Sequence, residues 1–300
     1  MVEKEASAYM ERLDKHETEE RARLEAEGKL RPRTPCDLPD KESAPVVKTK
    51  SKTISTTDPD AGLLGRPGKP LGTHYLTHQS VDSKCGVIVD VEVTAGNTND
   101  CIPYLDRVEY MSGNIGINIE AVALDSAYDT SLIHKELMDM NIDVFTPKTK
   151  TNEKYKVEFK RDSFQYNEEE DTFICPNGQL LTFHTLERSE STISREYTTK
   201  PENCRACPLK EKCLSPSHKS RRLGVNIFED AVRKHHEHDG TIEHKKALNT
   251  RQIICEGTFG NQVRKHNLRK LSRRGLEAAF DHCLLSATVV NIKRMVKKAG

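Results

Sequence analysis

The sequence predicts a mixed α/β fold, and two patterns in its first half carry that prediction. Residues 73–94 contain two strand-like runs around the short polar segment 82–84, which is typical of an antiparallel hairpin. Further along, an apolar strand at 119–124, a helical spacing of apolar residues and a short strand at 142–147 follow one another. Hairpin, helix, strand, helix and strand in this order indicate a mixed sheet flanked by helices.

The regions outside this core differ in character. Residues 3–30 are predicted to form a helix that is polar all round and therefore needs a partner or belongs to a larger hairpin. Residues 31–60, with five prolines, are predicted to be a linker or a long loop. A β-rich segment at 150–215 has strand-like runs on both sides of the turn-forming pair Asn177-Gly178. Residues 242–300 are predicted to be helical, with a basic loop at 264–274.

Composition excludes several classes of protein. The 300 residues are 31% charged and 5% aromatic, and their apolar runs are too short for a membrane span. The first residues lack the order of a signal peptide. Nine cysteines without an export signal argue against a disulfide framework and for metal binding in a reducing compartment. We therefore expect a cytoplasmic, nucleoid-associated protein with no membrane partner.

Charge is unevenly distributed along the chain. Residues 1–60 carry 12 Lys and Arg against 14 Asp and Glu, whereas residues 245–300 carry 13 against three. A basic excess at one end is the pattern expected for a nucleic-acid partner. The alternative is a solvated helical face.

Four cysteines are spaced as zinc ligands. They are separated by 28, two and five residues, and two of them are followed by proline; they are Cys175, Cys204, Cys207 and Cys213. Four thiolates complete a closed tetrahedral site, which is structural because it leaves no position for substrate. The alternative is four free cysteines, and His184 or His218 could replace one ligand.

Two carboxylates stand in unusual positions. Asp125 ends the apolar strand at 119–124, where it is either a turn former and helix cap or a metal ligand. Glu256 falls within the apolar face of a predicted helix over 251–263, where a carboxylate is costly unless it is paired or binds a cation. Ile253 belongs to that predicted face. A salt bridge from Glu256 to Arg251 or Arg264 is the alternative.

A dense basic segment follows that helix. Its six cationic residues are Arg264, Lys265, Arg269, Lys270, Arg273 and Arg274. We expect such a segment to contact the phosphate backbone of DNA, with a strong dependence on salt.

Taken together, these motifs resemble the RNase H-like DDE transposases of bacterial insertion sequences, in the branch with a cysteine-bearing insertion before the catalytic glutamate. The resemblance runs from about Ser55 to Met295. Its landmarks are STTDPDAG (55–62), VEVTAGNTND (91–100), ALDSAY (123–128), CPNGQLL (175–181), CRACPLKEKC (204–213), RQIICEGTFG (251–260) and RRGLEAAF (273–280).

The resemblance implies an RNase H-like mixed sheet and a DNA transposase. It places the second and third acids of the DDE triad on Asp125 and Glu256, which would bind Mg²⁺ or Mn²⁺ for DNA cleavage and strand transfer. It also implies a homo-oligomer acting on insertion-sequence ends and target DNA. The implied domains are a charged helix and linker (1–60), the first part of the DDE domain (61–149), a zinc-binding insertion (150–220) and the C-terminal helical part (221–300).

The chain departs from the family pattern at three places. Ala127 and Val263 stand where the family usually has a glycine and a basic residue. The first aspartate of the triad, which the family places at the end of the first sheet strand, has no counterpart in its expected context. We therefore expect an N-terminally truncated copy with weak or no activity, in which Asp58 is a poor substitute. A non-catalytic DNA-binding remnant of a transposase is the alternative, and a host nuclease on the same scaffold is a weaker one.

Overall fold

A computed structural model describes residues 2–30, 54–65, 71–147, 158–189, 191–215 and 217–299. Most of the predicted linker, residues 31–53, lies outside them. The chain divides into two compact units. Unit 1 comprises Met1–Glu11, Pro39–Lys148 and Lys234–Gly300, and unit 2 comprises Arg12–Leu38 and Thr149–Arg233.

Helices and strands alternate in the order that the sequence patterns predict, which confirms the mixed α/β fold. The α-helices are α1 (Val2–Ala26), α2 (Tyr104–Gly113), α3 (Ser131–Asp139), α4 (Pro201–Arg205), α5 (Lys210–Cys213), α6 (Glu229–His236), α7 (Ile242–Arg251), α8 (Gly257–Lys265) and α9 (Leu276–Ala299). The strands are β1 (Gly62–Leu64), β2 (Gly72–Val81), β3 (Ile88–Ala95), β4 (Ala121–Ala123), β5 (Asp143–Phe145), β6 (Gln165–Asn167), β7 (Thr172–Ile174), β8 (Leu180–Arg188), β9 (Ile193–Thr198) and β10 (Arg222–Asn226).

The core of unit 1 lies between an antiparallel sheet and the last helix. Strands β1, β2 and β3 pair in that order, with Thr77 opposite Val93 in the predicted hairpin. The apolar residues of β3 pack against a stripe on α9, and the cluster comprises Ile88, Val91, Val93, Ala279, Cys283, Ala287 and Val290. The side-chain amide of Asn291 exchanges two hydrogen bonds with the backbone of Ile88, at 2.9 and 2.8 Å. This stripe, repeating every three or four residues, holds α9 on the sheet.

Strands β4 and β5 form a separate parallel pair in unit 1, with Val122 opposite Val144. Helix α3 connects them, and its Leu132, Ile133 and Leu137 are fully buried. This is the βαβ arrangement that parallel pairing requires. Among the described residues, hydrogen bonds do not join this pair to the β1–β3 sheet. A single RNase H-like mixed sheet therefore stays a prediction.

Unit 2 is built on a five-stranded antiparallel sheet in the order β10-β9-β8-β7-β6. The predicted turn at Asn177-Gly178 joins β7 to β8, and Gly178 has the left-handed φ of +72° that favours glycine. An aromatic and aliphatic cluster fills one side of the sheet; it comprises Phe164, Phe173, Leu181, Tyr197 and Leu223.

The charged N-terminal helix obtains its partner within unit 2. Glu20 of α1 accepts a hydrogen bond of 2.6 Å from Arg195 of β9, and Asp14 accepts one of 2.9 Å from Arg188 of β8. Leu13 and Leu24 are fully buried. Two buried leucines and cross-element ion pairs therefore stabilise a helix whose sequence is polar on most of its surface.

Asp171 lies in the turn between β6 and β7 and its carboxylate is bound by three side chains. It accepts hydrogen bonds from Lys29 at 2.6 Å, from Tyr197 at 2.6 Å and from Tyr166 at 2.8 Å. Burial opposes ionisation of Asp171, but the three donors outweigh it and lower its pKa from 3.8 to about 2. The carboxylate thereby joins the segment after α1 to the sheet.

Candidate functional site

Asp125 lies just beyond the C-terminal end of β4. Its backbone is extended, and its carboxylate accepts a 2.6 Å hydrogen bond from the backbone N–H of Ser126, which caps a 3₁₀ turn over Ser126–Tyr128. The side chain is nevertheless 57% exposed. The capping role foreseen from the sequence is therefore present, and the carboxylate still faces solvent.

Glu256 ends a π-helical turn. Helix α7 continues through this turn, Gln252–Glu256, directly into α8 without a break. Turns of this kind are rare and concentrate at functional sites, because they displace the residues that follow relative to a regular helix. The carboxylate of Glu256 is exposed.

The apolar face predicted for 251–263 is wrong in its details. Ile253 is 65% exposed, whereas Thr258 and Gln262 are completely buried. The prediction assumed a uniform rotation of 100° per residue, and the π turn changes that rotation immediately before Gly257. Glu256 consequently lies outside the buried face rather than within it.

Arg251 forms an ion pair with one candidate acid and lies on the same helical run as the other. Its Nη2 atom lies 3.3 Å from Oδ2 of Asp125, and Arg251 is the residue immediately before the π turn that ends at Glu256. The end of β4 and the helical run that carries Glu256 are therefore neighbours. The sharing of one metal position by Asp125 and Glu256 stays a prediction.

A buried tyrosine pair supports the segment after Asp125. The rings of Tyr104 and Tyr128 meet edge to face with centroids 5.1 Å apart. Burial raises the pKa of Tyr128, and the charges of Asp100 and Asp125 raise it further. Asp100 is thus a further carboxylate near this segment.

Arg294 of α9 supports the helix that follows Glu256. Its Nη2 donates a 2.6 Å hydrogen bond to Oγ1 of the buried Thr258, and its Nη1 donates to the carbonyl of Gly86 in the β2–β3 turn. One guanidinium therefore connects α9, α8 and the hairpin. The sequence patterns did not single out Arg294, because its role depends on three segments far apart in the chain.

The carboxylates of Asp58 and Asp60 accept hydrogen bonds from backbone N–H groups at the start of α9. Asp58 accepts hydrogen bonds from the Tyr75 hydroxyl at 2.7 Å and from the backbone N–H of Gly275 at 3.3 Å. Asp60 accepts one from the backbone N–H of Leu276 at 3.2 Å. Acceptors at a helix N-terminus satisfy its free N–H groups and interact favourably with its dipole. Both acids are therefore engaged in anchoring α9.

The basic segment, which includes the last turn of α8 and the chain that leads to α9, presents all its cationic residues to solvent. The exposed side chains are those of Arg264, Lys265, Arg269, Lys270, Arg273 and Arg274. Leu268 and Leu271 point the other way and pack against the β3–α9 core. Asn267 has a φ of +54°, which turns the chain sharply after α8. Apolar anchors alternating with exposed cations produce a positively charged surface.

The four cysteines of the predicted zinc site all belong to unit 2. Cys175 follows β7, Cys204 lies in α4 and Cys213 ends α5. Burial raises the pKa of the Cys213 thiol, and the other three cysteines raise it further. In this structure no three of the four sulfur atoms lie within 4.8 Å of one another. Zinc binding here stays a prediction.

One other cluster in unit 1 has metal-ligand chemistry. Asp129, His134 and His236 place their ligand atoms within 4.8 Å of one another, the one such group of three among the described residues. No local motif marks this cluster in the sequence, because Asp129 and His236 are 107 residues apart. The histidine-rich run at 235–238 was the available signal.

A comparison with protein families gives a match for part of the chain. Residues 174–296 match the family model of the transposase DDE domain. The matched segment contains Glu256, the four cysteines and the basic segment, and it does not include Asp125. The resemblance to a DDE transposase is thereby confirmed over these residues. No curated protein and no solved structure matches the chain. Among the described helices, none combines the length and apolarity needed to cross a bilayer.

Proposed function

We propose, from the transposase DDE domain matched over residues 174–296, that this protein cleaves DNA phosphodiester bonds and transfers DNA strands, with Asp125 and Glu256 as two of its catalytic acids. The domain match indicates a function in transposition-related DNA cleavage and transfer generally. The assignment of the two acids and of the metal ion goes beyond that match.

The chemistry of the two side chains supports the assignment. Both are exposed carboxylates, which are the ligands that Mg²⁺ and Mn²⁺ prefer. Asp125 already attracts a cationic group, since Arg251 lies 3.3 Å from it. A bound Mg²⁺ would supply charge stabilisation for an in-line phosphoryl displacement. In this proposal, Asp125 at the end of β4 and Glu256 at the end of the π turn hold the ions.

The position of the basic segment favours a DNA-binding surface near Glu256. It begins in the last turn of α8, the helix that starts after Glu256, and its six cations are exposed. Contacts to backbone phosphates hold a duplex in register without reading its sequence. We propose that this segment positions DNA beside the two acids.

The first acid of the triad is unassigned. Asp58 and Asp60 hydrogen-bond to residues at the start of α9, which makes them poor candidates. We therefore expect weak cleavage by the 300-residue chain. In the alternative, a DNA-binding remnant, the basic segment binds DNA and the two acids bind no metal. The homo-oligomer implied by the resemblance is also part of this proposal.

Metal binding distinguishes the two functions without requiring full activity. Mn²⁺ binding to the purified protein is measured by electron paramagnetic resonance, for the wild type and for Asp125→Asn and Glu256→Gln. Each substitution should weaken Mn²⁺ binding by at least about tenfold, or about 1.4 kcal/mol. Glu243→Gln, which removes an exposed carboxylate from the first turn of α7, is the matched control and should leave binding unchanged.

Unchanged Mn²⁺ binding in the two variants would favour the DNA-binding remnant. If both substitutions leave Mn²⁺ affinity unchanged while DNA binding persists, the remnant function is correct and the assignment of the two acids is wrong. The protein is first loaded with Zn²⁺ and weakly bound Zn²⁺ is then removed by dialysis, so that tight sites at cysteine or histidine clusters are filled while weaker carboxylate sites stay open to Mn²⁺. Circular dichroism verifies that each variant is folded.

A further inference from the structure

The histidine cluster of unit 1 joins three separate elements. Asp129 lies in the segment between the 3₁₀ turn and α3, His134 lies in the first turn of α3, and His236 is the last residue of α6. His134 Nε2 lies 2.8 Å from Oδ1 of Asp129, and His236 Nε2 lies 3.2 Å from the same oxygen. Two imidazoles from two helices therefore converge on one carboxylate oxygen.

The far side of each imidazole is also engaged. His236 Nδ1 lies 3.0 Å from Oδ2 of Asp239, and His134 Nδ1 lies 3.0 Å from Nδ1 of His235. Metal-bound histidines characteristically use their second nitrogen in this way, because the outer partner fixes the ring orientation and the tautomer. The arrangement thus contains both an inner set of ligand atoms and an outer set of partners.

His236 lies where a positive charge is favoured. A carboxylate only accepts hydrogen bonds, and His236 stands between two carboxylates, Asp129 and Asp239. An imidazolium satisfies both of them, and a cation bound at the Nε2 side does the same while leaving the Nδ1 proton for Asp239.

We propose that Asp129, His134 and His236 form a second metal site, which binds Zn²⁺ and connects α3, α6 and the segment after β4. Two imidazole nitrogens and one carboxylate oxygen suit Zn²⁺ and neighbouring transition metals, whereas Mg²⁺ and Ca²⁺ prefer sets made entirely of oxygen. Tetrahedral ligands at about 2.0–2.2 Å from zinc are about 3.3 Å apart, so the present separations require only a small expansion.

The cluster is well enclosed. His134 is 1% exposed and Asp129 is 9% exposed, so water competes weakly for these positions. Thr146 contributes a further contact to Asp129 Oδ1 at 3.3 Å, which orients the carboxylate. Asp129 is four residues beyond Asp125, so the ion would also stabilise the segment that carries this acid. The metal site itself does not depend on the proposed function.

The test measures zinc content and Co²⁺ spectra of the purified 300-residue protein. We expect His236→Gln and Asp129→Asn each to weaken zinc binding at this site by at least about a hundredfold. Asp239→Asn, which removes an outer partner, should weaken it by about 10–100-fold. His238→Gln, an exposed histidine two residues from His236, is the matched control and should have no effect.

Cobalt substitution separates this site from a cysteine site. Co²⁺ bound by histidine and carboxylate shows d–d absorption without a thiolate-to-metal charge-transfer band. In His236→Gln the first signal should disappear, while any charge-transfer band from cysteine ligands persists. If His236→Gln and Asp129→Asn retain the zinc content and the Co²⁺ spectrum of the wild type, the proposal is wrong. It is also wrong if all bound Co²⁺ shows thiolate charge transfer.

Discussion

Arg251 and Asp125 form an ion pair, with the guanidinium Nη2 3.3 Å from the carboxylate Oδ2, although the two residues are 126 positions apart. The pair brings the end of β4 next to the helical run that contains the π turn and Glu256. A cation thus occupies one side of the carboxylate that we assign to Mg²⁺.

Arg251→Gln should increase the affinity of the free protein for Mn²⁺. Removing a positive charge about 4 Å from a metal ligand is worth on the order of 1 kcal/mol in water, which corresponds to about fivefold. The pair is partly exposed, so stability should fall by no more than about 1 kcal/mol. Mn²⁺ titration and urea unfolding measure the two effects. Weaker Mn²⁺ binding in the variant would show instead that Arg251 positions Asp125 for the metal.

Charge reversal in the basic segment should weaken DNA binding irrespective of sequence. For Arg269→Glu combined with Lys270→Glu, we expect a similar loss on every duplex and a shallower dependence of log K on log salt, by about two units of slope. Fluorescence anisotropy at several salt concentrations measures both. Lys245→Glu with Lys246→Glu, an equal charge change on the exposed side of α7, is the control. A loss confined to one sequence would indicate base recognition and contradict the backbone assignment.

The predicted zinc site should release its metal when two of its four cysteine ligands are replaced. The site and its surroundings are called the cysteine module, with the ligands Cys175, Cys204, Cys207 and Cys213. We expect about one zinc per chain at this module, lost in Cys204→Ser combined with Cys207→Ser, with faster hydrogen exchange over residues 165–215. Cys85→Ser, which changes an exposed cysteine of unit 1, should retain the metal. Carefully reduced wild-type protein whose Co²⁺ form lacks any thiolate charge-transfer band would eliminate the module as a zinc site.

Asp171 should make stability depend on pH in the acid range. Its pKa is lowered to about 2 in the folded protein, compared with 3.8 ordinarily. Its contribution is therefore fully present above pH 3.8 and is lost as the pH falls through about 2. The site is partly solvated, so we expect about 1 kcal/mol.

Urea unfolding of wild-type protein and of Asp171→Asn measures this contribution. Asparagine tolerates the left-handed backbone at this position, where φ is +48°, so the substitution tests the charge rather than the turn. The difference in unfolding free energy should be largest near pH 6 and shrink between pH 4 and pH 2. Asp230→Asn, at a position 85% exposed, should show no such trend. A difference that is constant with pH would contradict the role of the charge.

Local patterns in the sequence determined most of the secondary structure and the resemblance to a transposase DDE domain over residues 174–296. Alternation of apolar residues predicted the hairpin of β2 and β3, and the pair Asn177-Gly178 predicted the turn between β7 and β8, because these signals depend on residues close together in the chain. The match to the transposase DDE domain covers residues 174–296, which include Glu256 and the basic segment, and the roles of these residues stay predictions. The six basic residues are exposed, as their charge predicts, while Leu268 and Leu271 between them pack against the core.

Only the tertiary structure decided the features that join distant segments. Ile253 is exposed in the π turn that ends at Glu256, and the sequence did not predict this because a helical wheel assumes regular hydrogen bonding along the helix. The pairing of Arg251 with Asp125, the anchoring of α9 by Asp58 and Asp60, and the meeting of Asp129 with His236 each depend on how the elements pack. Side-chain periodicity records which face of an element is buried, but it contains no information about which element lies opposite, and for that reason these contacts emerge only in the folded chain.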